Sequence, residues 1–239
     1  MNKYYVSFVT ISLLFGGISY LATDNFYIAI GVFLLYLLVS IILLVPRLKK
    51  YELVINRFNE CFHFVNAFII SLSVRKVVSS SIESVVATMS KPFQSMFTSL
   101  KDLEDTDKLN YLSGSYYPFH IYKLFLQVIY LYQEEGGDIL KMSKHLLNEA
   151  RDSENYVVET SGVSKRKSIE IAILWIMCLA ILVFMRFALK DFFLKIKDKI
   201  LYISAICVLF AFALLSLYVL VIRATNLKLK GYNPHEKFI

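Results

Sequence analysis

A protein that makes or breaks bonds must gather reactive side chains, and this chain offers few that could meet. Its four histidines, His63, His120, His145 and His235, are widely spaced, and none forms a close ligand pair with another histidine or with Cys61, Cys178 or Cys207. The cysteines have no paired metal or redox spacing and read as small apolar fillers. There is no phosphate-binding Gly loop, no nucleophile elbow and no His-Glu-x-x-His. Nucleotide hydrolysis and proteolysis therefore have no support. The sequence predicts a protein that is not an enzyme, with no catalytic residue, no metal and no cofactor, whose energy for any work comes from elsewhere.

Two features could still carry interaction chemistry. Glu134 and Glu135, then Gly136, Gly137 and Asp138, form the most distinctive local pattern. As structure it is a helix stop, a tight turn and a restart. As function, three carboxylates at the tip of a helical hairpin would suit a basic partner or a hard cation. The second feature is Glu170 and Arg186, which bound an apolar run from opposite ends and can both reach a membrane interface. Glu170 beside Lys165, Arg166 and Lys167 is the nearest approach to a lipid-processing site, and it matches no recognisable constellation.

The elements that must position these groups follow from where charge is missing. Of 239 residues 57% are hydrophobic and only 19% charged, more apolar surface than one aqueous core buries. Residues 4–23 and 25–46 are apolar runs separated only by Asp24, each long enough to cross a bilayer, and together they predict a hairpin. Residues 171–185 and 200–222 supply two further spans, the former extended if Arg186 snorkels. With a second span following at once and no small-residue cleavage site, residues 4–23 are expected to be a span and not a cleaved signal.

Orientation follows from Lys and Arg. With both termini and the central segment inside, thirteen flank the inner ends and five, Arg186, Lys190, Lys195, Lys197 and Lys199, flank the outer ones. This predicts a multi-pass membrane protein with cytoplasmic termini, the basic outer loop lying on headgroups. The net charge of +7 is thereby topology signal and not a nucleic-acid patch.

Between Arg47 and Lys167, 16 basic and 14 acidic residues give ordinary soluble composition. Val54, Phe58, Cys61, Val65, Phe68 and Leu72 form one stripe of a helix continuing from span two. Ser79–Ser81 are expected to cap a helix bearing Ile82, Val85, Val86 and Met89, and Pro92 to open another. The stretch from Leu103 to Pro118, acidic and then rich in Ser and Gly, reads as the break between two halves. Ile121, Leu124, Phe125, Val128 and Leu131 or Tyr132 face one side of the next helix, which stops at Gly136 and Gly137. Asp138 then caps a helix carrying Ile139, Met142, Leu146, Leu147 and Ala150, which runs on into span three. The expected architecture is an all-α membrane protein: a transmembrane hairpin over 4–46, a cytoplasmic antiparallel helical bundle over 47–167, a second hairpin over 168–222 and a cytoplasmic tail over 223–239.

The stretch EEGGDILKMSKHLLNEARDSE resembles the most recognisable motif of the type II secretion F domain, with Gly136, Gly137, Leu140, Leu146 or Leu147 and Arg151 in the matching positions. FIISLSVRKVVSSSIESVV is similar to the opening of that domain, although Ser73-Val74-Arg75-Lys76 replaces the usual glycine turn and the SGSYYPFH linker departs from the pattern. The layout of two spans, a helical domain and two spans is like that of single-domain platform subunits of tight-adherence and type IV pilus-like systems. The resemblance implies no catalytic residue. It implies an inner-membrane platform coupling a hexameric secretion ATPase to the movement of pilin-like subunits, beside a paired platform protein, in a homo- or hetero-oligomer within the lipid bilayer. The competing class is a transporter or permease subunit driven by a separate ATPase, which would need more polar span interiors.

Overall fold

The computed structural model describes residues 3–100 and 102–226. Lys228, Lys230, His235 and Lys237, and with them most of the expected tail, lie outside the described residues. Every regular element among those described is a helix. The contacts divide the chain into two units, one of Met1–Tyr51 with Thr160–Asn226 and one built on Glu52–Glu159. Within the described residues the chain passes between the units inside helices, after Tyr51 in α3 (Val45–Arg75) and after Glu159 in α9 (Lys144–Ala188).

In the first unit, α1 (Lys3–Thr23) turns through Asp24 and Asn25 into α2 (Phe26–Val39). The turn is tight because Asp24 takes φ 55°, a left-handed conformation that Asp tolerates better than most residues, and Asn25 caps α2 by accepting from the Tyr27 N–H. The two helices approach closely at Gly16, where a Cβ would meet the Phe33 Cβ at 3.0 Å. Phe15 stacks on Tyr36 at 4.7 Å between centroids, and the buried Tyr36 hydroxyl donates to the Phe210 carbonyl at 2.7 Å. Those bonds tie α2 to α11 (Ile200–Thr225), and the Trp175 Nε1–H donating to Ser216 at 2.8 Å ties α9 to it.

The outside of this unit is as apolar as its inside: Leu13, Ile176, Met177, Val208 and Phe212 are all exposed. Such a surface is stable in hydrocarbon and not in water. Four helices among the described residues are long and apolar enough to cross a membrane. Between α2 and α3 the helix widens into a π-turn over Ser40–Leu44. Pro46, two residues beyond Leu44, has no N–H for the helix ladder, a local defect of the kind that helices accommodate with a wider turn.

The second unit contains α3 beyond Tyr51, α4 (Val78–Val86), α5 (Lys91–Thr98), α6 (Asp105–Ser115), α7 (His120–Glu135), the single turn α8 (Ile139–Met142) and the start of α9. The predicted stripe of α3 is buried throughout, Val54, Phe58, Cys61, Val65, Phe68 and Leu72 all lying in one core. Ser90 caps α5 by accepting from the Phe93 N–H, with Pro92 in the first turn as its fixed φ favours.

Four local expectations need correction. Ser79–Ser81 do not cap α4. Its N-cap is Val77, and the Ser80 and Ser81 hydroxyls instead donate back to the Val77 carbonyl. The supposed break holds helix α6, because Asp105 and Asp107 suit a helix N-terminus while Leu109 and Leu112, three apart, are both buried. The α7 face is wider than expected: Ile121 and Phe125 are buried and Leu124, Val128 and Tyr132 pack against the core, but Tyr122, Leu126 and Ile129 are buried as well, and Leu131 is exposed. The helix after Asp138 also breaks once, at Ser143, before α9 begins.

The relative direction of α3 and α7 is fixed by their contacts. Phe58 meets Phe119, Phe68 meets Phe125, and the Tyr132 hydroxyl donates to the Lys76 carbonyl. Contacts advancing together along both sequences mean that α3 and α7 run in the same direction. Their C-terminal ends therefore share one end of the unit.

Candidate functional site

That shared end holds the acidic Gly-Gly turn. Helix α7 stops because Gly136 (φ 67°) and Gly137 (φ 102°) take conformations that side chains disfavour. Asp138 then caps α8, its Oδ1 accepting from the Leu140 N–H at 3.0 Å. Glu134, Glu135 and Asp138 are exposed and Leu140 remains 48% exposed. Among the described residues none of these three carboxylates has a salt-bridge partner. Two acids in the last turn of α7 oppose the helix dipole, so local stability does not account for them.

The remaining motif residues serve differently. Leu147 packs on the core from α9, and Arg151 is exposed one turn further on. No group of three or more His, Cys, Asp or Glu among the described residues could hold a metal ion. Glu134, Glu135 and Asp138 are thus not gathered into a cation ligand set.

Beside it lies the α3–α4 turn. Arg75 and Lys76 are exposed, and Lys76 takes φ 59°, the left-handed geometry a glycine would normally supply. Ile70, Val74 and Val77, spaced four and three apart, are 55%, 78% and 54% exposed. The basic lip, the acidic lip and these exposed apolar side chains thus occupy one end.

A second constellation escaped the sequence reading. On α3, Glu60 accepts hydrogen bonds from the Ser90 hydroxyl and the Tyr116 hydroxyl, while the Arg57 guanidinium lies 3.4 Å over the Tyr116 ring. Burial pulls the Arg57 pKa down from its ordinary value, opposed by the nearby Glu60 carboxylate. Tyr117 is fully buried beside them, and burial pushes its hydroxyl far up. This network joins α3, the α5 cap and the α6–α7 link. The only sequence signal was the Arg57–Glu60 spacing on one helix face.

The first unit has a third cluster. Asp24 accepts from Arg186 Nη2 at 3.1 Å and from Lys197 at 3.1 Å, while Arg186 Nη1 donates to the Leu21 carbonyl at 2.7 Å. The Tyr202 hydroxyl donates to the Ala22 carbonyl at 2.9 Å. Arg186 is therefore held by protein groups. So is Lys197, which leaves Lys190, Lys195 and Lys199 as the exposed cations of the segment around α10 (Lys190–Ile196). Glu170 pairs with Arg166 on the exposed surface of α9 at 3.3 Å, an ordinary i, i+4 pair. An open apolar groove of about 530 Å³ runs along α1 and α2, lined by Leu13, Gly16, Gly17 and Phe33 among others.

The chain matches no family model, no curated protein and no solved structure.

Proposed function

We propose that this chain is a membrane platform of a type II secretion or tight-adherence pilus-like machine, which couples a cytoplasmic hexameric ATPase to the movement of pilin-like subunits. The observation that carries this reading is the layout: a charge-balanced helical unit inserted between pairs of apolar helices, entered and left through α3 and α9 without a loop. A continuous helix backbone transmits displacement, and a nucleotide-driven partner acting on the inserted unit would use α3 and α9 as its two mechanical connections. On this reading the four apolar helices form two transmembrane hairpins in the cytoplasmic membrane, and the inserted unit and both termini are cytoplasmic. The spans contact pilin-like subunits and a paired platform protein.

The resemblance of the Glu134–Arg151 stretch to the F domain supports the same assignment. The test is affinity purification of the tagged full chain from host membranes in mild detergent. Recovery of a secretion-type ATPase and a second multi-span protein is expected. Solute flux catalysed by the chain in sealed vesicles, with no such ATPase recovered, would overturn the reading in favour of the transporter class.

A further inference from the structure

We infer that the end of the second unit shared by α3 and α7 is a contact between two copies of this chain, in which the Arg75–Lys76 lip of one copy meets the Glu134–Glu135 lip of the other. The inference rests on the geometry of that unit and is independent of the platform reading. The direction of the two helices comes first. Because α3 and α7 run in parallel, their C-terminal turns emerge side by side, and the Tyr132 hydroxyl reaching the Lys76 carbonyl at 3.5 Å fixes the basic and acidic lips as neighbours. Among the described residues no salt bridge involves Arg75, Lys76, Glu134 or Glu135.

The centre of this surface is apolar. Ile70 and Val74 lie one turn apart at the end of α3 and are 55% and 78% exposed, and Val77 in the turn that follows and Leu140 after the acidic turn are exposed as well. An apolar centre with a charged rim is the composition of a protein contact. The signs of the rim decide the occupant. A partner carrying one sign of charge would match one lip and be repelled by the other, whereas a two-fold axis sets each lip against its opposite and lays apolar centre on apolar centre. A second copy is the one occupant whose complementarity to both lips is already written in the surface. The same pairing explains why Glu134 and Glu135 stand at a helix C-terminus that disfavours them.

The experiment co-expresses full chains carrying two different tags, extracts them in mild detergent and measures how much of one tag is recovered with the other. One variant is R75E/K76E and the other E134K/E135K; Asp138 is left alone because its carboxylate caps α8. Wild-type copies should recover each other, and each variant paired with itself should recover about tenfold less, since like charges then face each other across the contact. Mixing the two variants makes every lip meet its opposite again and should restore recovery to near the wild-type level. V74E, in the apolar centre, should lower recovery in every combination. Circular dichroism and thermal melting of each variant report whether it folds, and restoration in the mixed pair is itself proof that both do. The inference is overturned if wild-type copies do not recover each other, if either reversal leaves recovery unchanged, or if the folded variants fail to restore it when mixed. Recovery of an ATPase is scored in the same extracts, so loss of self-pairing with the ATPase retained separates this inference from the platform reading.

Discussion

Replacing Asp24 with Asn tests the cluster that joins the α1–α2 turn to Arg186 and Lys197. Asn tolerates the left-handed backbone at φ 55° nearly as well as Asp, so the substitution removes charge without adding strain. It deletes two ion pairs, each at 3.1 Å, in which the cations are 24% exposed and the carboxylate 31%. Exposed pairs contribute roughly 0.2–1 kcal/mol each, and a largely covered Arg186 left without its carboxylate adds to the loss, so D24N should destabilise the unit by about 1–2 kcal/mol. The cycle of D24N, K197Q and the double variant should give a coupling of roughly 0.5–1 kcal/mol that shrinks with added salt.

The assay is denaturant unfolding of the full chain in detergent, followed by the fluorescence of its one tryptophan, Trp175, whose indole N–H is bonded to Ser216 in the same unit. Acidity supplies an independent check. Hydrogen bonds from Lys197 and then Arg186 hold the Asp24 carboxyl below its ordinary value of 3.8. A carboxylate depressed on folding contributes stability that is complete above the unfolded value and is lost as pH falls through the folded one. The difference between wild type and D24N should stay level from about pH 8 to about pH 5 and fade only below about pH 4. A coupling within about 0.3 kcal/mol of zero, or a difference that does not begin to shrink as pH falls below the ordinary carboxyl value, would refute the reasoning.

Other outcomes follow from single positions. Gly16→Ala should destabilise the first unit by about 1–2 kcal/mol, because the Phe33 Cβ at 3.0 Å belongs to a helix that cannot swing aside. Gly17→Ala, with nothing within 4 Å, should gain about 0.5–1 kcal/mol in the same Trp175 assay. Lys76→Gly should raise the melting temperature of the second unit, relieving a left-handed residue for a gain of about 1 kcal/mol, and Lys76→Val should lower it. Cys61 is buried and its thiol is pushed well above the ordinary 9.0 by desolvation, then by the Glu60 charge. Maleimide should therefore modify it only as fast as the unit unfolds, and stability should decline as the solution is made more alkaline than 9.0, where the unfolded thiol ionises and the folded one does not. Rapid labelling of native Cys61 would contradict the burial.

What the sequence determined by itself was everything written in short-range periodicity. The lengths of the apolar runs predicted helices able to cross a membrane, the spacing from Val54 to Leu72 predicted the buried face of α3, and Pro92, Gly136, Gly137 and Asp138 marked helix ends because caps and positive φ act within one turn. Local pattern misled where tertiary burial outweighed composition: polar residues and Gly114 hid α6, whose helix is secured by burying Leu109 and Leu112. Tertiary structure alone decided which distant residues meet. Asp24 and Arg186 are 162 positions apart, and Glu60 and Tyr116 are 56 apart, so no periodicity links them. The parallel course of α3 and α7 belongs to the same class. It turns an acidic loop and a basic loop, unremarkable apart, into one two-signed surface, because helix direction is fixed by how cores pack and not by any residue within the helices themselves.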